Sequence, residues 1–378
     1  MNAVTITATG TAVLTILTSA VGLGTYIPAL LIARQLRASD RVANVEVIED
    51  FYTTEKQQAH SAHRDAHHQS FALAQIAHRM VRSTEGSLDE LRIARLIDAW
   101  RAAERDHFVV WSGFWLPVIE RYRALVPRCS LRVDHCRIDA VVSASFKVNE
   151  ALDRLGRSIW LWQGQSKRLV YEIPVTDAPF IPFEQRPHRL VVHGGGWGIG
   201  TYQQICSELR AALWPLDIVV HSHDEAVDAA DHDRRFMLDP AWSPWLRDAS
   251  GALTFPPMIQ LSGATVSGLG SNRACYHDLF DVIACARAIV SKPGGCTLID
   301  SLASNTPVIL LEAYGYAERS NAEVWIALGY GITFEVWRAT GFSTEVLQRL
   351  HENLCNRPTN TINYPQSLSS PEPASVVA

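Results

Sequence analysis

Along the chain, short runs of apolar residues alternate with longer stretches of helical period, and the alternation recurs from residue 11 to residue 311. Thr11 to Thr18 (TAVLTILT) is β-branched and apolar throughout, which predicts a strand buried on both faces of a parallel sheet. Gly22 and Gly24 follow, and Ile27 to Leu36 has a helical pattern, giving a strand-loop-helix unit. The next predicted strand is Ala43 to Ile48, closed by Glu49 and Asp50. Helices are predicted over Glu55 to Arg82 and Leu88 to Glu104, and strands at Phe108 to Trp111 and Ala140 to Val142. Small polar residues follow each of these two strands, Ser112-Gly113 and Ser143 to Ser145. Ile173 to His188 contains four prolines and no apolar period, as a connection between domains should. The pattern then restarts, with strands at Arg189 to Val192, Asp217 to His221, Ala288 to Ser291 and Pro307 to Leu311, and helices at Tyr202 to Leu213 and Thr297 to Ser304. Repeated β-α units in two halves predict an α/β protein of two doubly wound domains. The expected division is 1–172, a linker at 173–187, a second domain at 188–356, and a disordered tail at 357–378 rich in Pro, Ser and Asn.

Length and composition narrow the picture. At 378 residues with 47% hydrophobic content, the chain is long enough for two cores. A formal net charge of −5 argues against a nucleic-acid partner and limits membrane contact to a peripheral one. Seven cysteines without a C-x-x-C pair read as reduced thiols of a cytoplasmic protein. The apolar stretch from Val4 to Ala33 is interrupted by Gly22, Gly24 and Pro28, so it reads as strand, turn and helix rather than an anchor. Phe108 to Leu116 is equally apolar and reads as a buried strand with the helix after it.

Two glycine loops carry the chemistry. Gly194, Gly195, Gly196, Trp197 and Gly198 lie between a strand and a helix, where backbone amides and a helix N-terminus can meet a phosphate. The second loop, Ser291-Lys292-Pro293-Gly294-Gly295-Cys296-Thr297, also runs from strand into helix, and Asp300 follows on that helix. The segment SKPGGCTLIDSLASNTPVILLEAYGYAERSNAEVWIALGYGI resembles the donor-binding segment of the MurG and monogalactosyldiacylglycerol synthase group of glycosyltransferases, which implies their GT-B fold of two Rossmann-like, doubly wound domains facing across a cleft. The resemblance covers about residues 188 to 335, and VGLGTYIPALLIARQL resembles the family's first glycine loop and helix.

The resemblance implies a UDP-sugar donor as co-substrate, no bound cofactor, no required metal, inversion at the anomeric carbon, and a small-molecule or lipid acceptor held by the first domain. It assigns phosphate contacts to Gly194, Gly195, Gly196, Trp197 and Gly198, and to Pro293, Gly294, Gly295 and Thr297, with Gly24 in the first loop. It implies ribose binding by Asp300, sugar contacts by Glu318 and Arg319 with Asn321 close by, and a nucleobase site near Tyr276 and His277. The family's Gly-Gly-His is replaced here by Gly22-Leu23-Gly24-Thr25, and a threonine hydroxyl is no general base at neutral pH. The residues themselves then offer Asp50, at the end of a strand, as first choice for the base. Thr25 and one of the clustered histidines, His67, are the further candidates for the chemistry. Three other readings stay open on sequence: a nicotinamide-dependent oxidoreductase, for which Asp224 would be the ribose acid, a nucleotide-sugar epimerase, and a donor-binding protein without catalysis.

Overall fold

The computed structural model describes residues 13–369, apart from 21, 82, 127–130, 197, 227–231, 246, 263–264 and 269–274. Its first sheet contains β1 (Leu14–Thr18), β2 (Ala43–Val47), β3 (His107–Val110), β4 (Arg132–Arg137) and β5 (Arg157–Trp160). All are parallel, in the order β2-β1-β3-β4-β5. Short strands β6 (Trp162–Gln163), β7 (Arg168–Leu169) and β8 (Tyr171–Glu172) follow.

The second sheet has eight strands among the described residues: β9 (Leu190–His193), β10 (Leu216–Val220), β11 (Arg234–Leu238), β12 (Met258–Ser262), β13 (Thr265–Gly268), β14 (Ala288–Ser291), β15 (Val308–Leu310) and β16 (Gly331–Thr333). In the order β13-β12-β11-β10-β9-β14-β15-β16 the strands from β11 to β16 pair parallel, and β12 pairs antiparallel with both β11 and β13. Two doubly wound α/β domains are therefore present.

The central strands are apolar runs buried on both faces, as Leu14–Thr18 and Ala288–Ser291 illustrate. One of the expected strands is misplaced. Residues 140–142 form no strand, and β4 is Arg132–Arg137 (RVDHCR) instead. Its polar residues are buried because each has a partner. Asp134 accepts hydrogen bonds from Arg157 (2.9 Å) and Tyr364 (3.1 Å), and Asp153 accepts one from Arg137 (2.6 Å) and pairs with His135 at 2.8 Å.

The long helix expected over residues 55–82 is two helices, α2 (Thr54–Gln69) and α3 (Phe71–Arg79), broken at Ser70, whose hydroxyl accepts the Leu73 amide at the start of α3. Only residues 206–211 of the expected helix from Tyr202 to Leu213 are α-helical.

The tail also departs from expectation. Residues Ile362–Asn363 form β17, which pairs with β8, and a helix at Tyr364–Ser369 follows. Tyr364 and Leu368 are buried, and Arg41 donates to the Leu368 carbonyl at 2.6 Å. The chain thus returns to the first domain after completing the second. The linker is pinned at both ends: Gln35 donates to the Pro174 carbonyl (2.7 Å), and buried Arg186 donates to the carbonyls of Ala286 (2.9 Å) and Ser304 (2.6 Å). Phe108, Trp111, Trp115 and Leu116 are core residues. No helix of the described residues is long and apolar enough to cross a membrane.

Helix α1 (Leu23–Ala38), which follows β1, packs on the helix Gly295–Ser304 of the second domain, and one hydrophobic cluster runs through both domains. That packing brings the carboxyl ends of the two sheets together.

Candidate functional site

The loops at those carboxyl ends enclose a cavity of about 430 Å³. The first domain lines it with Gly24 and Thr25 from the start of α1 and with Ile138 and Asp139 from the loop after β4. The second domain contributes the loops after β9, β10, β11 and β14, together with His277, Tyr314 and Glu318. Ligands of doubly wound sheets collect at such strand ends.

The two glycine loops meet around Lys292. A Cβ built on Gly195 would stand 3.8 Å from the Lys292 Nζ, and one built on Gly294 would stand 3.4 Å from the same atom. The amides of these two glycines are already engaged, Gly195 N–H with His193 Nδ1 (3.1 Å) and Gly294 N–H with the Lys292 carbonyl (2.8 Å). The open donors are therefore elsewhere. Gly295, Cys296 and Thr297 precede the first hydrogen bond of their helix, from the Leu298 amide to the Gly294 carbonyl at 3.1 Å, so their amides have no intrahelical acceptor.

His193, which the sequence reading passed over, adds another donor. An amide can only donate, so Nδ1 accepts and the ring proton sits on Nε2, which is buried without a hydrogen-bond partner. Burial, with repulsion from Lys292 and His277, holds its pKa down at about 3. It is a neutral N–H donor at the cavity wall. Lys292 is held by an ion pair with Glu318, whose other oxygen accepts the Tyr314 amide at 2.7 Å.

The remaining residues of the second domain divide into two groups. Thr297, Asp300, His277 and Glu318 line the cavity, and His277 Nε2 lies 3.0 Å from Asp300 Oδ1. Pro293 and Asn321 support it from behind: Asn321 donates to Asp139 (2.8 Å) and to the Pro293 carbonyl (3.0 Å), and accepts from the Ala140 amide (2.7 Å) and Trp162 (3.0 Å). Its side chain is completely used, and it ties the second glycine loop to the first domain. Arg319 is exposed and does not line the cavity, and Trp197 lies outside the described residues.

The expected catalytic residues fare differently. Asp50 does not line the cavity; β2 ends in a 3₁₀ turn that turns its carboxylate toward Arg247, 3.5 Å away. Thr25 lines the cavity, but its hydroxyl donates to the Ser19 carbonyl at 2.8 Å.

His67 is not at the cavity wall. Its neighbour His68 is the one that reaches across, meeting the Gly198 carbonyl (2.8 Å) and Glu225 (2.5 Å) and stacking on His221 at 4.1 Å. Of His60 and His63 only the backbone is described.

Among the described residues, the first-domain carboxylate that faces the cavity is Asp139. Burial raises its pKa, the Asn321 hydrogen bond opposes the rise and nearby Glu318 adds to it, leaving it at about 6. Sequence reasoning missed it because the strand before it was placed eight residues late. Asp224, the acid a nicotinamide site would need, is exposed and away from the cavity.

No protein-family model matches the chain, and no curated protein matches it. Solved structures do. MurG of Acinetobacter baumannii is similar over 94% of this chain and 97% of its own, with 13% identity and a TM-score of 0.50. SsfS6, a glycosyltransferase of Streptomyces sp. SF2575, is similar over 95% of this chain and 100% of its own, with 11% identity and a TM-score of 0.50. The fold is GT-B, with two Rossmann-like domains, and resembles that of MurG.

Proposed function

We propose that this protein is an inverting glycosyltransferase that moves a sugar from a UDP-sugar to a small-molecule or lipid acceptor. The observation that carries the reading is the convergence of both glycine loops on Lys292 at the cavity, with the neutral His193 donor and an open helix N-terminus in the same wall. A lysine, three main-chain amides and an imidazole N–H are the donors a diphosphate needs as negative charge grows on it. These groups stabilise the leaving group without the help of a metal. Asp300 is the acceptor for ribose hydroxyls, Glu318 for hydroxyls of the donor sugar, and Met237, Trp242 and Met258 give the cavity an apolar end.

In the reaction, the acceptor hydroxyl gives its proton to Asp139 as its oxygen attacks the anomeric carbon from the first domain's side. The bond from that carbon to the diphosphate oxygen breaks, and the electron pair leaves with the nucleotide toward Lys292 and the Gly295 helix end. Attack opposite the leaving group inverts the configuration. A carboxylate with a pKa of about 6 is ionised at neutral pH and still basic enough to serve. The presence of Asp139 supports catalysis over a donor-binding role, and the placement of Asp224 speaks against a nicotinamide site.

The test is calorimetric titration with UDP, TDP and NADH, followed by nucleotide release from a panel of UDP-sugars with and without acceptors. Tight UDP binding and acceptor-dependent UDP release are expected. NADH binding in preference to UDP, or UDP binding without any turnover across the panel, would overturn the reading.

A further inference from the structure

Three side chains on one wall of the cavity converge in a way the sugar-transfer reading does not require. Cys296 and Asp300 stand one helical turn apart on the helix Gly295–Ser304, so they share a face. His277 approaches that face from the segment before the helix Leu279–Cys285, and its Nε2 lies 3.0 Å from Asp300 Oδ1. The ligating atoms of all three lie within 4.8 Å of one another, the one such set of three His, Cys, Asp or Glu among the described residues. His277 and Asp300 are buried, Cys296 is half-buried, and each lines the cavity.

We propose that His277, Cys296 and Asp300 form a site for a thiophilic divalent cation, with zinc the best fit, and that this cation and the nucleotide exclude one another. One sulfur, one imidazole nitrogen and one carboxylate oxygen are zinc donors, and three protein ligands leave a fourth position, here facing the cavity. Tetrahedral zinc places such donors about 3.4 to 3.6 Å apart. The 3.0 Å between His277 and Asp300, and the upper bound of 4.8 Å on the other separations, bracket this range. Binding replaces the thiol S–H bond with an S–metal bond and releases one proton to solvent; no electrons are transferred. A cation held by Asp300 occupies the carboxylate that a ribose would use, so occupancy by metal removes a nucleotide contact. Calcium and magnesium, which prefer all-oxygen shells, are excluded by the same donor set.

The exclusion half of this inference rests on the nucleotide-sugar reading; the metal site does not. Cobalt(II) serves as the probe, because a thiolate bound to cobalt gives a near-ultraviolet charge-transfer band and a tetrahedral site gives visible bands. The metal-free full chain should develop both on titration with cobalt, and zinc should bleach them. Cys296→Ser should lose the charge-transfer band, and His277→Gln should weaken cobalt binding at least about tenfold. Saturating zinc should raise the Kd for UDP at least about tenfold. Absence of the band in the wild-type protein, or its survival in Cys296→Ser, overturns the site. Bands present with UDP affinity unchanged by zinc overturn the exclusion. Failure of the metal-free protein to bind UDP while the cobalt bands form counts against the nucleotide reading and leaves the metal site standing.

Discussion

Replacing Asp139 with Asn leaves an oxygen to accept the hydrogen bond from Asn321, 2.8 Å away, and removes only the charge and the basicity. Its carboxyl is raised from 3.8 to about 6, first by burial, with Glu318 adding to the rise and Asn321 and Lys292 opposing it. A shift of about two units corresponds to about 3 kcal/mol of cost for ionising it in the folded protein. Because the folded pKa is raised, the native state holds this proton more tightly than the unfolded chain does. The resulting stability is fully present below pH 3.8 and is lost as the pH rises through about 6. The carboxamide of the Asp139→Asn variant cannot ionise, so the variant should unfold at pH 8 no earlier than wild type, and later by up to about 3 kcal/mol. Below pH 4 the two should coincide.

Activity should move the other way. Loss of a general base costs about 100- to 10,000-fold in turnover. The wild-type kcat/KM, measured by UDP release, should climb about tenfold per pH unit up to about 6 and then level, whereas the variant should be low and flat over that range. Two results would refute the reasoning. A variant within a few-fold of wild type with the same pH profile removes Asp139 from the chemistry. A variant destabilised at pH 8 shows that the ionised carboxylate is favoured where it sits.

Three further perturbations probe the surroundings. Lys292→Met removes the ammonium on which both loops converge; UDP affinity should fall about 10- to 100-fold by calorimetry, and thermal melting should also drop because Glu318 loses its partner. Asn321→Leu strands the Ala140 amide and the Trp162 N–H, so denaturant unfolding should show a loss of about 3 kcal/mol or more, and the acid limb of the pH profile should move upward because the hydrogen bond that lowers the Asp139 pKa is gone. The His68 contact should be pH-dependent: the Gly198 carbonyl needs a proton on Nδ1, and Glu225 needs one on Nε2, so both are satisfied only by the imidazolium. Burial lowers its pKa, but these two partners outweigh burial and raise it above 6.5, so the stabilisation is full below pH 6.5 and is lost as the pH rises beyond the folded value. The difference in melting temperature between wild type and His68→Gln should shrink from pH 6 to pH 9, and a constant difference would contradict this.

The strands whose sequences are apolar were legible because a buried parallel strand has no polar face, and Ala288–Ser291 is an example. β4 was not, because Asp134, His135 and Arg137 reach their partners on other segments that a local pattern does not reveal. That misplacement hid the site's carboxylate, since Asp139 then fell before the expected strand rather than after the real one. Adjacent histidines on a helix point about 100° apart, so spacing alone could not choose His68 over His67. Asp50 was a fair choice by position at a strand end, yet the 3₁₀ turn after β2 directs it to Arg247.

The glycines show where sequence reasoning about a site stops. Their spacing announces that some backbone must be approached closely, but it does not say by what. Added Cβ atoms at Gly196, Gly198 and Gly295 would stand 2.7 Å from Leu23, 2.7 Å from His68 and 2.4 Å from Ile138, all side chains of the first domain. These three glycines admit the opposite domain, whereas Gly195 and Gly294 face Lys292 with no such crowding. The two tasks are interleaved within the same loops. The amides that face the cavity are therefore carried on segments already pressed against the first domain, and any shift of one domain against the other changes the separation between those amides and Asp139. A sequence motif records both demands as glycine, and only the packing shows which glycines face Lys292 and which admit the opposite domain.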